Sequence, residues 1–282
     1  MKINNQIKQQ IVEDYNNGLS GYAIAEKYNI HFSTAYRIIK QQGVQTRNNE
    51  INSKKYTHNE NYFEVIDTEH KAYWLGFMYA DGYIANKKDG NKMFGMSLST
   101  EDIQHIEKFK TDIEATNPIK TYSSTGYGSG GQYSRLLITS KKTTQDLINH
   151  GCVEHKTNIL KAPVGVPNNL KHHFIRGYLD GDGCISYTAS KDSYKVKILG
   201  TDDLLDYIKD YIESNNIATI KHYYKRKPEQ TVSSLELGGN LQVLDFLNHI
   251  YEDATVYLDR KYERYVNLCN KYLVEPNGNV GC

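Results

Sequence analysis

The apolar positions of this chain fall into short groups with two different periods. Residues 6–42 show helical spacing three times: Ile7, Ile11, Val12 and Tyr15, then Ala23, Ile24, Ala25 and Tyr28, then Ala35, Ile38 and Ile39. Gly18-Leu19-Ser20 and Asn29-Ile30 break these runs, and Ser20 and Ser33 are available as N-caps. From Gly43 to about Tyr62 the chain is polar and rich in Asn and Lys, as a linker would be. Beyond it, alternation predicts strands at Tyr83–Lys87 and Lys92–Ser99 around the hairpin signal Asp89-Gly90. A helix is predicted over Thr100–Ile113, strands over Ile119–Ser123 and Tyr133–Thr139, and a helix over Lys142–His150. The same order returns, with strands near Cys184–Ser190, Lys195–Leu199, Ile220–Lys227 and Thr231–Leu237 and helices at Thr201–Ser214 and Leu241–Ile250.

Two apolar runs escape both periods and resemble each other. Tyr73–Ile84 and Phe174–Ile185 each carry Asp-Gly two residues before their end, and Gly76, Asp81, Gly82 and Thr100 recur 101 positions later as Gly177, Asp182, Gly183 and Thr201. That spacing indicates two copies of one domain-sized unit. Within each run, small residues lie four apart on one helix face: Gly76 with Ala80, and Gly177 with Gly181. Glycine inside a soluble helix costs about 1 kcal/mol relative to alanine. The pairs therefore predict a close helix–helix seam. Gly82 and Gly183 stand where a left-handed terminating residue is expected. Asp81 and Asp182 would meet at one end of the seam, where helix dipoles and like charge both disfavour carboxylates. A divalent cation relieves both, and carboxylate oxygens suit Mg²⁺.

At Trp74–Gly82 (WLGFMYADG) and Ile175–Gly183 (IRGYLDGDG) the chain resembles the LAGLIDADG homing endonucleases, and the resemblance runs from about Asp67 to Val274. The sixth letter is Asp180 in the second copy but Tyr79 in the first. The resemblance implies an α+β fold, with two antiparallel saddle sheets around paired motif helices on a pseudo-twofold axis. It implies Asp81 and Asp182 as metal-binding acids for Mg²⁺ (Mn²⁺ may substitute), aided by the carbonyls of Ala80 and Gly181. It also implies a lysine late in each repeat, Lys156 and Lys261, near the scissile phosphates, to stabilise transition-state charge or orient water. The implied reaction is a double-strand break with 3′ overhangs at a long, rare site, promoting mobility of the gene. Residues 6–42 resemble a helix-turn-helix, which would offer Ser33, Thr34, Tyr36, Arg37 and Lys40 to a major groove.

The expected organisation is a helix-turn-helix over residues 1–47, a linker over 48–66, repeats over 67–164 and 165–276, and a tail over 277–282. Charge complicates a nucleic-acid partner: 34 Lys and Arg face 33 Asp and Glu, a net charge of +1. Residues 1–60 carry +3, residues 61–170 carry 0 and residues 171–282 carry −2, so a basic DNA surface requires segregation onto one face. The candidates are Arg47, Lys54 and Lys55 in the linker, Lys87, Lys88, Lys92, Lys120 and Arg135 in the first repeat, and Lys191, Lys195, Lys197, Lys221, Lys225, Arg226 and Lys227 in the second. Cys152, Cys184, Cys269 and Cys282 form no CxxC pair and read as reduced thiols. No apolar run approaches the roughly 20 residues of a membrane span, and the start MKINNQIKQQ lacks a signal-peptide core. With no intein junction residues, the expectation is a free-standing, soluble, cytoplasmic monomer acting on double-stranded DNA. Two other readings stay open: a non-cleaving helix-turn-helix/LAGLIDADG transcription regulator, and an intron RNA maturase that binds structured RNA.

Overall fold

Three short helices open the chain: α1 (Asn5–Asn16), α2 (Gly21–Lys27) and α3 (Phe32–Gln41). A computed structural model of the protein describes residues 3–46, 55–86, 90–123, 131–225 and 232–272, the side chain of Thr157 apart. By internal contacts the chain divides into Met1–His58 with Glu114–Asn117, and Asn59–Ile113 with Pro118–Cys282. In the first unit, Ile11, Tyr15, Ile24, Ala35, Ile38 and Ile39 close a core, drawn from the helical stripes expected from spacing. Ser20 caps α2 by accepting from Ala23 N at 3.1 Å. Ser33 does not cap α3. His31 does, its Nδ1 accepting from Ser33 N at 3.3 Å. The Asp14 carboxylate receives Lys27 Nζ at 2.7 Å and Tyr28 OH at 2.7 Å, which fastens α1 to the end of α2.

The second unit is α+β and repeats one plan. Its first half runs α4 (Glu69–Ala80), β1 (Gly82–Asn86), β2 (Lys92–Ser99), α5 (Ile103–Asp112), β3 (Lys120–Ser123), β4 (Gln132–Thr139) and α6 (Lys141–Asn149). Its second half runs α7 (Lys171–Asp182), β5 (Gly183–Thr188), β6 (Ser193–Gly200), α8 (Asp202–Ser214), β7 (His222–Tyr224), β8 (Ser233–Gly238), α9 (Asn240–Ile250) and α10 (Asp259–Tyr272). Each half holds a four-stranded antiparallel sheet, ordered β1-β2-β4-β3 and β5-β6-β8-β7. Alternation decides the faces. Phe94, Met96, Leu98, Leu136 and Ile138 are buried on one side of the first sheet, and Val196, Ile198, Leu235 and Leu237 on one side of the second. Helices α5 and α6 contact the first sheet, and α8 and α9 the second. The opposite, open face of each sheet carries exposed positions such as Ser97, Lys195 and Leu199.

The motif helices α4 and α7 make the most extensive contact between any two elements. Residues 72–80 of α4 are buried on every side, which explains why its run shows no period. Two expectations need correction. Tyr62, Phe63 and Ile66 are buried in the second unit, so the linker ends before them rather than at residue 66. Helix α10 was not foreseen, because its inner stripe is Lys261, Tyr262, Tyr265, Leu268 and Cys269 rather than a run of aliphatic residues.

Candidate active site

The seam that positions the acids is set by glycine. A Cβ on Gly76 would lie 2.0 Å from Phe174 O, and one on Gly177 would lie 2.0 Å from Tyr73 O. Phe174 is Tyr73 carried 101 positions along the chain, so the two contacts are images of each other about the pseudo-twofold. One turn later the image breaks, since a Cβ on Gly181 would sit 2.1 Å from the Cβ of Ala80. Only one of these positions has room for a methyl group.

Gly82 and Gly183 were expected to adopt left-handed backbone. They do not: Gly183 has φ −94° and ψ 167°, and neither residue has positive φ. Space explains them instead. A Cβ would meet Met78 O at 2.3 Å in the first case and Leu179 O at 2.6 Å in the second. The chain turns directly from helix into strand, so each acid stands at the junction. Asp81 is the C-cap of α4, and Asp182 is the last residue of α7.

Both carboxylates keep solvent access, and among the described residues neither forms an ion pair. Desolvation raises both above the ordinary carboxylate range, and the Asp81 charge raises Asp182 further. Lys156 and Lys261 pull both downwards. These lysines are matched partners of the helix ends. Lys156 Nζ donates to Met78 O at 2.9 Å and Gly82 O at 2.7 Å. Lys261 Nζ donates to Leu179 O, Asp180 O and Gly183 O, each at 2.6 Å, with Gly181 O at 3.3 Å. Carbonyls left over at a helix C-terminus carry partial negative charge, and an ammonium satisfies them. An ammonium has three donors. Lys261 spends all of them on the chain, whereas the bonds of Lys156 use two. Burial depresses the pKa of both lysines.

The unlike sixth letters now have a common use. The fully buried Asp180 accepts from Leu258 N at 2.8 Å and from Tyr73 OH at 2.7 Å, which holds the segment leading to Lys261. Tyr79 OH donates to His150 O at 2.6 Å, which holds the segment leading to Lys156. An ion pair between a fully buried arginine and a half-buried glutamate of the first repeat has no image about the pseudo-twofold. Arg176 reaches Glu69 Oε1 at 2.6 Å and donates to Val256 O at 3.1 Å and Ile250 O at 2.8 Å.

The cations predicted for nucleic acid are dispersed. Lys120 and Arg135 are cross-strand partners on the open face of the first sheet, with the Arg135 guanidinium 5.5 Å from the Tyr122 ring and 5.4 Å from the Tyr133 ring. Lys195 and Lys197 lie on the open face of the second, both tied to Glu236, at 3.0 Å and 3.1 Å. Lys92 turns to the helix side and donates to Gln145 Oε1 on α6 at 2.7 Å. Lys225 pairs with Asp206 on α8 at 3.4 Å. Both therefore leave the face assigned to them. Lys191 lies in the exposed turn between β5 and β6, and Lys221 is exposed before β7. On α3, Ser33, Arg37 and Lys40 are exposed, Thr34 and Tyr36 are half-buried, and Lys40 Nζ is 5.2 Å from the Tyr36 ring. Arg47, Lys54, Lys87, Lys88, Arg226 and Lys227 lie outside the described residues.

Sequence reasoning missed Glu236 and the exposed Tyr83 and Tyr122. Counting alternate positions outward from Leu235 and Leu237 would have placed Glu236 on the open face. A recess of about 400 Å³ opens beside Asp81, lined by Tyr83, Met93, Met96, Ser97, Arg135 and Leu137. Among the described residues no group of three or more His, Cys, Asp or Glu side chains forms a metal cage, and no helix is long and apolar enough to cross a membrane.

LAGLIDADG homing endonucleases are among the solved structures to which the chain is similar. The meganuclease I-SmaMI bound to DNA is 12% identical, with 75% of this chain and 93% of that chain covered at a TM-score of 0.48. I-LtrWI bound to target DNA is 11% identical, covering 76% and 92% at 0.48. I-GzeII in complex with its DNA target is 13% identical, covering 71% and 88% at 0.47. No family model and no curated protein matches the sequence.

Proposed function

We propose that the chain is a site-specific double-strand DNA endonuclease of the LAGLIDADG kind, dependent on a divalent cation such as Mg²⁺. The observation that carries this reading is the duplicated helix end: Asp81 and Asp182 at the mouth of one glycine seam, each where a motif helix meets its strand and each beside a carbonyl-bound lysine. The donor set fits a hard cation. It offers carboxylate oxygens that have no ion-pair partner among the described residues, and repulsion between them is relieved by positive charge. Asp81 and Asp182 would hold it. The carbonyls of Ala80 and Gly181 are the supplementary donors implied by the family, although Gly181 O already lies 3.3 Å from the Lys261 ammonium. When bound, the cation supplies Lewis acidity, activating water and stabilising charge on the departing 3′ oxygen.

The protein's own part is geometric and electrostatic. The seam fixes the carboxylates relative to each other, one for each DNA strand. Lys261 holds the end of α7 and acts on the site through its field. Lys156 has a donor left to reach a phosphate oxygen or a water. The open sheet faces carry the DNA-directed groups, with a helix-turn-helix in the first unit contributing Arg37 and Lys40 to the same partner. Cleavage leaving 3′ overhangs at a long, rare site, with mobility of the gene as its consequence, completes the reading.

The test is incubation of a randomised duplex DNA library with the protein and Mg²⁺, sequencing the cut ends, beside Asp81→Asn and Asp182→Asn. Discrete cuts with 3′ overhangs are expected from the parent, and none from either variant or in the presence of a chelator. A variant that cuts normally removes the metal assignment. Enrichment of particular sequences without any cutting transfers the reading to a DNA-binding regulator.

A further inference from the structure

The two sheets pair their strands in the same way but carry different groups at equivalent places. The second row out from the motif helix is Tyr83–Gly95–Leu137 in the first sheet. In the second sheet it is Cys184–Lys197–Glu236–His222. An apolar row thus stands where its image is charged. Glycine at position 95 is required, because a Cβ there would lie 2.0 Å from Leu136 O. The carboxylate of Glu236 is largely covered, at 12% side-chain exposure, and is held between Lys195 and Lys197 at 3.0 Å and 3.1 Å. The two ammonium groups hold its pKa below the usual range, so it is ionised and only accepts hydrogen bonds.

A carboxylate on a nucleic-acid face repels phosphate and adds nothing to non-specific affinity. Its chemical use there is as an acceptor. In the major groove a C·G pair presents the cytosine N4 donor next to the guanine O6 and N7 acceptors, and Glu and Lys are the side chains that match these groups. Glu236 with Lys197 places an acceptor beside a donor, the two kinds of group that match that edge. The lysine ends of these bonds are exposed, at 52% and 43%, so the ammonium groups can exchange the carboxylate for base contacts at little cost. Leu137 and Tyr83, by contrast, offer apolar contact of the kind that favours the thymine methyl group.

Resting on the endonuclease reading, we propose that Glu236 is a specificity-determining residue that reads the cytosine of a C·G pair, with Lys197 on its guanine. The pair lies in the inner part of the half-site under the second sheet, one strand residue out from Gly183, where the strand begins. The matched place in the other half-site is read by Leu137 through a thymine methyl. The target is then unlike in its two halves at equivalent positions.

The experiment is to sequence duplexes retained by the full chain from a randomised library, for the parent, Glu236→Gln and Leu137→Ala. Folding of each variant is checked by thermal unfolding. In the parent, one half-site should show a C·G pair near its centre-facing end and the other a T·A pair at the equivalent place. Glu236→Gln should reduce the C·G preference by roughly tenfold at that pair alone, with adenine gaining, because glutamine suits adenine. Leu137→Ala should weaken only the thymine preference in the opposite half. An unchanged profile for Glu236→Gln, or a change confined to another kind of pair, overturns the assignment while leaving the DNA-binding reading intact. No enriched sequence even with the parent overturns that reading, and this inference with it.

Discussion

The helix seam and the sheet faces treat the duplication differently. In the seam, Gly76 and Gly177 make the same approach to opposite backbones at 2.0 Å, and a lysine closes the end of each helix. On the open faces, Gly95–Leu137 stands where the second sheet has Lys197–Glu236. On the endonuclease reading proposed above, the difference follows from what each region would face. The two strands of a DNA duplex present the same phosphodiester to an active site, so the chemistry would benefit from two equal ends. Base sequence need not be symmetric, so the faces are free to diverge. The interior of the second repeat also departs from symmetry, through Asp180 and through Arg176 with Glu69.

That interior asymmetry gives the largest expected effect. Arg176 is fully buried, and Glu69 is its only carboxylate partner among the described ion pairs. Glu69 also accepts from Thr255 N at 2.7 Å. Glu69→Ala leaves a buried guanidinium without its counter-charge, and such losses cost about 3–5 kcal/mol. Denaturant unfolding measures it. Replacing both residues with leucine, the residue at Leu75 and at Leu170 in the corresponding positions, should recover much of that loss. If Glu69→Ala unfolds at the parental midpoint, the pair does not hold the repeats together.

A smaller effect sharpens the symmetric side. Gly181→Ala places two methyl carbons 2.1 Å apart with Ala80. Overpacking of this kind costs about 1–3 kcal/mol, and the better helix propensity of alanine returns about 1 kcal/mol. A net loss of up to about 2 kcal/mol is expected. Adding Ala80→Gly moves the single methyl to the other side of the pseudo-twofold and should restore stability to within about 1 kcal/mol of the parent. Additive losses in the double variant would mean that the seam is not symmetric at this turn.

These residues also show what the sequence made legible. The seam was readable because a backbone approach leaves only glycine, and small residues spaced four apart in a helix and repeated 101 positions later suit a close seam and little else. The alternating strands were readable because one face of each sheet is apolar. The reason for Gly82 and Gly183 was misread, since crowding by Met78 O and Leu179 O looks the same in sequence as a left-handed turn. The lysines could be matched to the family but not to their carbonyl partners, which depend on how α10 and the segment after α6 return to the helix ends. Helix α10 hid behind tyrosines. Lys92 and Lys225 point to the helix side, towards Gln145 and Asp206, because alternation puts them there: Lys92 shares parity with the buried Phe94 and Met96, and Lys225 with Tyr223, which pairs with the buried Leu235.

The smallest effect concerns the point where symmetry and chemistry meet. Asp182 has a carboxyl pKa raised in the folded chain, first by desolvation and then by the Asp81 charge. A raised folded pKa means that ionisation destabilises the fold. The penalty is absent below the unfolded value near 4 and is fully present once pH exceeds the folded value. Asp182→Asn removes that penalty at neutral pH and has nothing to remove in acid. The variant should therefore unfold slightly above the parent at pH 7, by roughly 0.5 kcal/mol or about 1–2 °C once solvent screening of an accessible group is allowed for. The gap should close as pH falls towards 3. Adding Mg²⁺ at pH 7 should stabilise the parent and not the variant, reversing their order, because ligand binding to the folded state alone raises its stability. Thermal unfolding at two pH values, with and without the cation, measures all of this. A variant less stable than the parent at pH 7 without metal would mean that Asp182 supports the fold, and would leave the two ends of the seam without a shared electrostatic strain for a cation to relieve.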